Sequence, residues 1–192
     1  MLRNTFKLIC AVAWRTEWRL IYRIMNKLEE DIKRYKIIKD MPKYQKFMRK
    51  YQESSNKIGK LFYKILFVHY RNKALVEISA DIQMGGGLYL GHPFCITINP
   101  GTIIGRNCNI HKGVTIGQEN RGKRKGCPII GNEVWIGVNS TIVGAIHIGH
   151  DVLIAPNSYV NCDIPDHSIV FGNPCIIKSV DNATKGYINN KA

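Results

Sequence analysis

Five histidines lie in the last hundred or so residues: His92, His111, His147, His150 and His167. Imidazole is the side chain that takes up and returns a proton near neutral pH. Set beside a hydroxyl it would act as a general base as that oxygen attacks an electrophile. Such chemistry needs few further groups: a carboxylate to orient the base and an N–H to hold a developing oxyanion. His147 and His150 fall at turn-like positions and read as solvated surface residues, and His167 follows Pro165 and Asp166 in a loop. His92 stands apart, in the run LGHPFCITINP, two residues after an apolar anchor and beside a break in the repeat described next. The alternative for His92 is an exposed turn histidine.

From residue 78 onward an aliphatic anchor recurs every six positions: Ile78, Met84, Leu90 and Ile96, then, after a slip of two, Ile98, Ile104, Ile110 and Ile116. The series resumes at Ile130, Ile136, Ile142, Ile148, Ile154 and Val160. Four residues after nearly every anchor stands a small or apolar residue, Phe94 among them, and directly after it usually a glycine or another small residue. A period of six fits neither an α-helix nor a hairpin. It fits a coil of three flat faces whose inward side chains stack on those of the next coil. The expected fold is therefore mainly β: a left-handed parallel β-helix of hexapeptide repeats, about five coils, with an N-terminal α-helical segment. The run QENRGKRKGCP, residues 118–128, interrupts the period as a mobile, exposed excursion, and insertions into a solenoid usually lie on the binding face.

Residues 1–77 differ in kind. They hold nineteen Lys and Arg against seven Asp and Glu, which is most of the chain's +14. Apolar residues at helical spacing, such as Trp14, Trp18, Ile21 and Met25, predict helices over roughly 4–38, 43–54 and 56–72, with a break at Pro42. The division is 1–77 basic helices, 78–178 β-helix and 179–192 a C-terminal tail. A basic, aromatic-bearing helical segment suits either oligomer contacts or a peripheral membrane contact through residues 1–40. No apolar run is long enough to span a bilayer, and no nucleic-acid motif is present. The six cysteines have neither CxxC pairing nor metal-ligand spacing, so free thiols of a reducing compartment, and no metal, are expected.

Residues 77–178 resemble the catalytic domain of serine acetyltransferases and the related polysaccharide O-acetyltransferases of the hexapeptide-repeat acyltransferase superfamily. The resemblance rests on the run Leu90 to Asn99 with its slip, on Ile110-His111-Lys112-Gly113-Val114-Thr115-Ile116-Gly117, and on Gly172-Asn173-Pro174 with Lys178 beyond. It implies acetyl-CoA as co-substrate, a homotrimer with grooves between subunits, and His92 as base. It also implies that Glu77, fifteen residues earlier where the family carries Asp, orients the base; a surface charge at a helix end is the alternative. Ala155 and Asn157 fall where the family's backbone meets the pantetheine arm, and Lys178 near the nucleotide phosphates, unless it is simply solvated. Arg121, Lys123 and Arg124 of the excursion would meet either an anionic acceptor or the cofactor phosphates.

Three departures bear on the acceptor, one being an N-terminal helical region much shorter than the family's. The family's Asp before the histidine is Gly91, and its Arg-His-Pro is Gly126-Cys127-Pro128. A zwitterionic amino acid needs charged partners. The expectation is thus transfer to a sugar hydroxyl of a bacterial surface polysaccharide or its precursor, with serine O-acetylation in cysteine synthesis as the alternative. The expected location is the cytoplasm, at or near the inner membrane face.

Overall fold

The computed structural model describes residues 27–35 and 37–192. Most of the first expected helix, and with it Trp14 and Trp18, lies outside the described residues. Three helices are described: α1 (Lys27–Arg34), α2 (Lys43–Glu53) and α3 (Lys57–Lys73), with a 3₁₀ turn (Ile38–Asp40) after α1. Pro42 precedes α2, where its missing N–H costs nothing. Asn56 caps α3, its side chain accepting the Gly59 N–H at 2.6 Å. The two longer helices close on Met48 and Phe67, both buried, with Phe47 stacked on Tyr70.

The remainder is a parallel solenoid of about five turns, consistent with the expected left-handed β-helix. Its short strands form three sheets. Face A holds β3 (Thr97–Ile98), β6 (Thr115–Gly117), β9 (Thr141–Val143) and β12 (Tyr159–Val160). Face B holds β1 (Gln83–Met84), β4 (Ile103–Ile104), β7 (Ile129–Ile130) and β10 (His147–Ile148). Face C holds β2 (Tyr89–Gly91), β5 (Asn109–His111), β8 (Val134–Ile136), β11 (Val152–Ile154) and β13 (Ser168–Phe171), and is closed by the antiparallel β14 (Ile176–Ser179).

Every anchor named above is 2 % exposed or less, so the six-residue period is the spacing of one continuous apolar column. Pairing gives the coil lengths. Thr115 lies on Thr97 and Tyr159 on Thr141, three hexads apart. Tyr89 lies on Asn109, a coil lengthened by the two-residue slip, and Thr115 lies on Thr141, a coil lengthened by the excursion. One residue departs from the expected pattern: Phe94 points outward at 55 % exposure, and Ile96 takes the inward place beside Ile98. The slip has pushed Phe94 into the bulge. Gly85, Gly105 and Gly131 stack at one corner, where a Cβ would come within 2.4–2.7 Å of the backbone of the next coil, so only glycine allows coils to approach this closely.

The first coil has no coil beneath it, and its main-chain polar groups must be satisfied another way. Helix side chains do this. Arg49 donates to the carbonyls of Met84 and Gly85, Gln45 to that of Leu88, and Gln52 to those of Ala80 and Ile82. Asp31 accepts the Leu88 N–H, and the Tyr35 hydroxyl accepts the Leu90 N–H. Asp31 and Arg49, both fully buried, also pair with each other at 2.7 Å. Burial pushes the Tyr35 phenol well above its ordinary value, against the opposing Leu90 hydrogen bond.

The expected C-terminal tail is packed along face C. Asp151 accepts from the N–H groups of Ala183 and Thr184 and from the Thr184 hydroxyl. Further along, the Tyr187 carbonyl accepts from Asn109, Lys191 meets Glu133, and Ala192 exchanges hydrogen bonds with Asn107. Residues 180–192 thus run back down the stack from its last coil to its second.

Asp31→Ala should lower unfolding free energy by about 3–5 kcal/mol, because Arg49 is then left as an uncompensated buried charge. Urea denaturation followed by circular dichroism measures this, and a loss below about 1 kcal/mol would show that the helices are not held through this pair.

Candidate functional site

The slip that lengthens the first coil falls at the corner between faces C and A. His92 and Cys95 both have positive φ there, 51° and 54°, a conformation that non-glycine residues adopt at a cost unless their surroundings impose it. Main-chain bonds impose it here. The Phe94 N–H donates to the His92 carbonyl, the Cys95 N–H to Ala74, the Lys112 N–H to Gly91 and the Gly113 N–H to Phe94. The result is an exposed imidazole on a braced turn, with Phe94 and Cys95 exposed beside it.

Glu77 lies on face A. Its main chain pairs with Thr97, and its exposed side chain lines a groove of about 460 Å³ with Arg71, Ser79, Asn99 and Pro100. No hydrogen bond joins Glu77 to His92 among the described residues. The bulge carries His92 to the corner, while Glu77 stays in the sheet beside Thr97.

His111 is the second imidazole of this corner. It lies above Gly91, where a Cβ would come within 2.6 Å of its Nδ1, and its ring centre is 4.6 Å from that of Trp135. Its side chain thus occupies the room that a residue larger than glycine would need at position 91. Burial first, and the neighbouring His92 second, push His111 below the ordinary imidazole value. The sequence singled out His92 but gave His111 no role, since nothing in the spacing shows that it packs over Gly91. His150, read as solvated, accepts the Asn132 N–H through Nδ1 at 2.9 Å, and His167 pairs with Asp151 at 2.8 Å.

The remaining candidates are dispersed. The excursion is a hairpin in which Glu119 and Gly126 exchange hydrogen bonds. Arg124 is held within it by Glu119 at 3.0 Å, whereas Arg121 and Lys123 are exposed. Arg124 stays exposed in that pair, so all three of these cations face solvent. Cys127 bonds Asn99 through its sulfur at 3.2 Å. Ala155 has little left to offer a pantetheine amide. Its N–H donates to Val170, and its carbonyl accepts from Ser140 and Ser158. Asn157 is exposed with φ 58°, and the exposed Lys178 places its ammonium 5.5 Å from the Phe171 ring centre. No group of three or more metal-ligating side chains occurs among the described residues.

No family model matches the chain. A serine acetyltransferase of Helicobacter pylori is 36% identical over 98 residues, covering 51% of this chain and 57% of that protein. The soybean serine acetyltransferase apoenzyme superposes with a TM-score of 0.57 at 26% identity, covering 70% of this chain and 54% of that one. The Brucella abortus enzyme superposes with a TM-score of 0.65 at 24% identity, covering 95% and 76%, and supports the fold. The chain spans little more than half the length of the Helicobacter relative. These matches bear out the resemblance to the serine acetyltransferase-like branch of the hexapeptide-repeat acyltransferases.

His111 should titrate below the ordinary imidazole value of about 6.5 and move back toward it in His92→Gln. Long-range ¹H–¹⁵N spectra recorded against pH read both values. The fold favours the neutral ring, so the stability that His111 contributes is present above the unfolded imidazole value. It is lost as pH falls through the lower folded value. Equal titration in both proteins would show that the two rings do not interact.

Proposed function

We propose that this chain is an acetyl-CoA-dependent O-acetyltransferase in which His92 takes the proton of the acceptor hydroxyl. The observation that carries the reading is the braced left-handed turn that presents His92 at the one corner where the hexad period slips. The hydroxyl oxygen attacks the thioester carbonyl carbon as its proton passes to the imidazole. The C–S bond then breaks, and the imidazolium returns the proton to the departing thiolate. The relatives named above favour L-serine as acceptor over the sugar hydroxyl expected from Gly91 and Cys127, and cysteine synthesis over polysaccharide assembly.

A three-fold assembly completes the reading. The outward side chains of Ile103 and Ile129 are exposed on face B, and a groove between copies would give a long thin cosubstrate the depth that a single prism lacks. Asn157 and Lys178 are the residues suited to meet it. On α3 the exposed Ile58, Leu61, Phe62 and Ile65 recur at helical spacing, an apolar stripe that fits contact with a second copy. The reading places the chain in the cytoplasm, where acetyl-CoA is held.

His92→Ala should lower turnover by about 10²–10⁴-fold with an unchanged circular dichroism spectrum, and Glu77→Ala should cost less. Release of CoA from acetyl-CoA, followed with L-serine and with a panel of hexoses, sialic acids and capsular oligosaccharides, tests the acceptor. Turnover with sugars alone would sink the serine assignment, and wild-type turnover in His92→Ala would sink the mechanism.

A further inference from the structure

A second cavity, of about 310 Å³, lies on face C where α1 meets β2, β5, β8 and the returning tail. Neither His92 nor Glu77 is in its lining; it shares only His111 with the corner described above. Arg34 forms part of its wall and is only 5 % exposed. Its Nη2 donates to Asn109, but Nε and Nη1 find no acceptor among the described residues. Asp31, one turn earlier on α1, is already engaged by Arg49, Gln45 and the Leu88 N–H. Asp40, the one carboxylate in the lining, is exposed and makes no hydrogen bond to Arg34. A guanidinium keeps its charge throughout the accessible pH range, so this is a buried cation that no carboxylate bonds among the described residues, an arrangement that folding does not favour by itself.

His111 faces the same cavity, and its Nε2 is likewise buried without a partner. Residues far apart in sequence thus direct unused hydrogen-bonding capacity into one space. The other walls are rings: Tyr89, Trp135 and Tyr187, with Trp135 set edge-on to Tyr187 at 5.1 Å and Tyr35 lying 4.9 Å from Tyr89. A guanidinium and an imidazole with unused hydrogen-bonding capacity, beside aromatic faces, match a ligand with an anionic head and a flat or ring-shaped body.

We propose that this cavity binds a small organic anion, its carboxylate or phosphate group held by Arg34 and His111 and its body lying against Tyr89, Trp135 and Tyr187. The inference stands whether or not the chain transfers acetyl groups.

Calorimetric titration of the full chain with inorganic phosphate, glucuronate, 4-hydroxybenzoate and the uncharged 4-hydroxybenzyl alcohol tests it. In parallel, the Arg34 Nε–H resonance is followed by ¹⁵N NMR. At least one anion should saturate a single site with Kd of about 1 mM or tighter and shift that resonance, whereas the alcohol should not. Phosphate against the two carboxylates identifies the head group, and glucuronate against 4-hydroxybenzoate identifies the body. Arg34→Gln should weaken binding about tenfold or more. Should that variant fold poorly, the resonance in the unaltered chain decides. Binding undiminished in a folded Arg34→Gln, or an Arg34 Nε–H that no anion moves, would overturn the proposal.

Discussion

A stack of parallel coils has an open end, and whatever closes it must satisfy main-chain groups that have no neighbouring strand. In this chain the helices meet that requirement with polar side chains. Asp31, Tyr35, Gln45, Arg49 and Gln52 each bond a main-chain group of the first coil, and Asp31 and Arg49 neutralise one another between the layers. An apolar cover would leave those groups unsatisfied, at a cost for each comparable to a lost hydrogen bond. The position of α1 follows from this constraint. With α1 fixed by Asp31, Arg34 is set against face C, and the cavity there takes its shape.

The repeat was legible because burial is periodic: one inward residue every six leaves a signature no other fold shares, and each anchor is indeed interior. The slip after Leu90 was legible for the same reason, and it marks the corner that holds His92. Phe94 fits the repeat by residue type yet points outward, because a bulge shifts phase without changing residue type. The helix boundaries of α2 and α3 came within a residue or so of those observed. The Asp31–Arg49 pair and the unpartnered Arg34 left no trace in the sequence. Charged residues on a helix usually mark its solvated face, and what buries these are coils 35 or more residues later.

The site was legible in part. His92 could be singled out from the slip beside it, but its surroundings depend on which side chains fill which gaps. Gly91 shows this. Read along the chain, it is a missing carboxylate. In the fold it is the space that admits the His111 ring, so the corner carries two imidazoles of unequal environment, one exposed and one half-buried against Trp135. The Arg124–Glu119 pair was equally hidden, because it depends on the excursion folding into a hairpin. Glu77 and His92 remain on different parts of the prism.

The returning tail changes how such a stack comes apart. A solenoid whose coils touch only their neighbours behaves as a linear array, and terminal coils can fray one at a time. Here the last thirteen residues bind Asp151, Glu133, Asn109 and Asn107 in turn, lacing the final coil to the second. Fraying of the outermost coil must either release the tail or strain it, so local opening at one end is felt near the other. The lacing converts a sequential zipper into something closer to an all-or-none unit, and it does so with a strip of chain that adds no coil of its own.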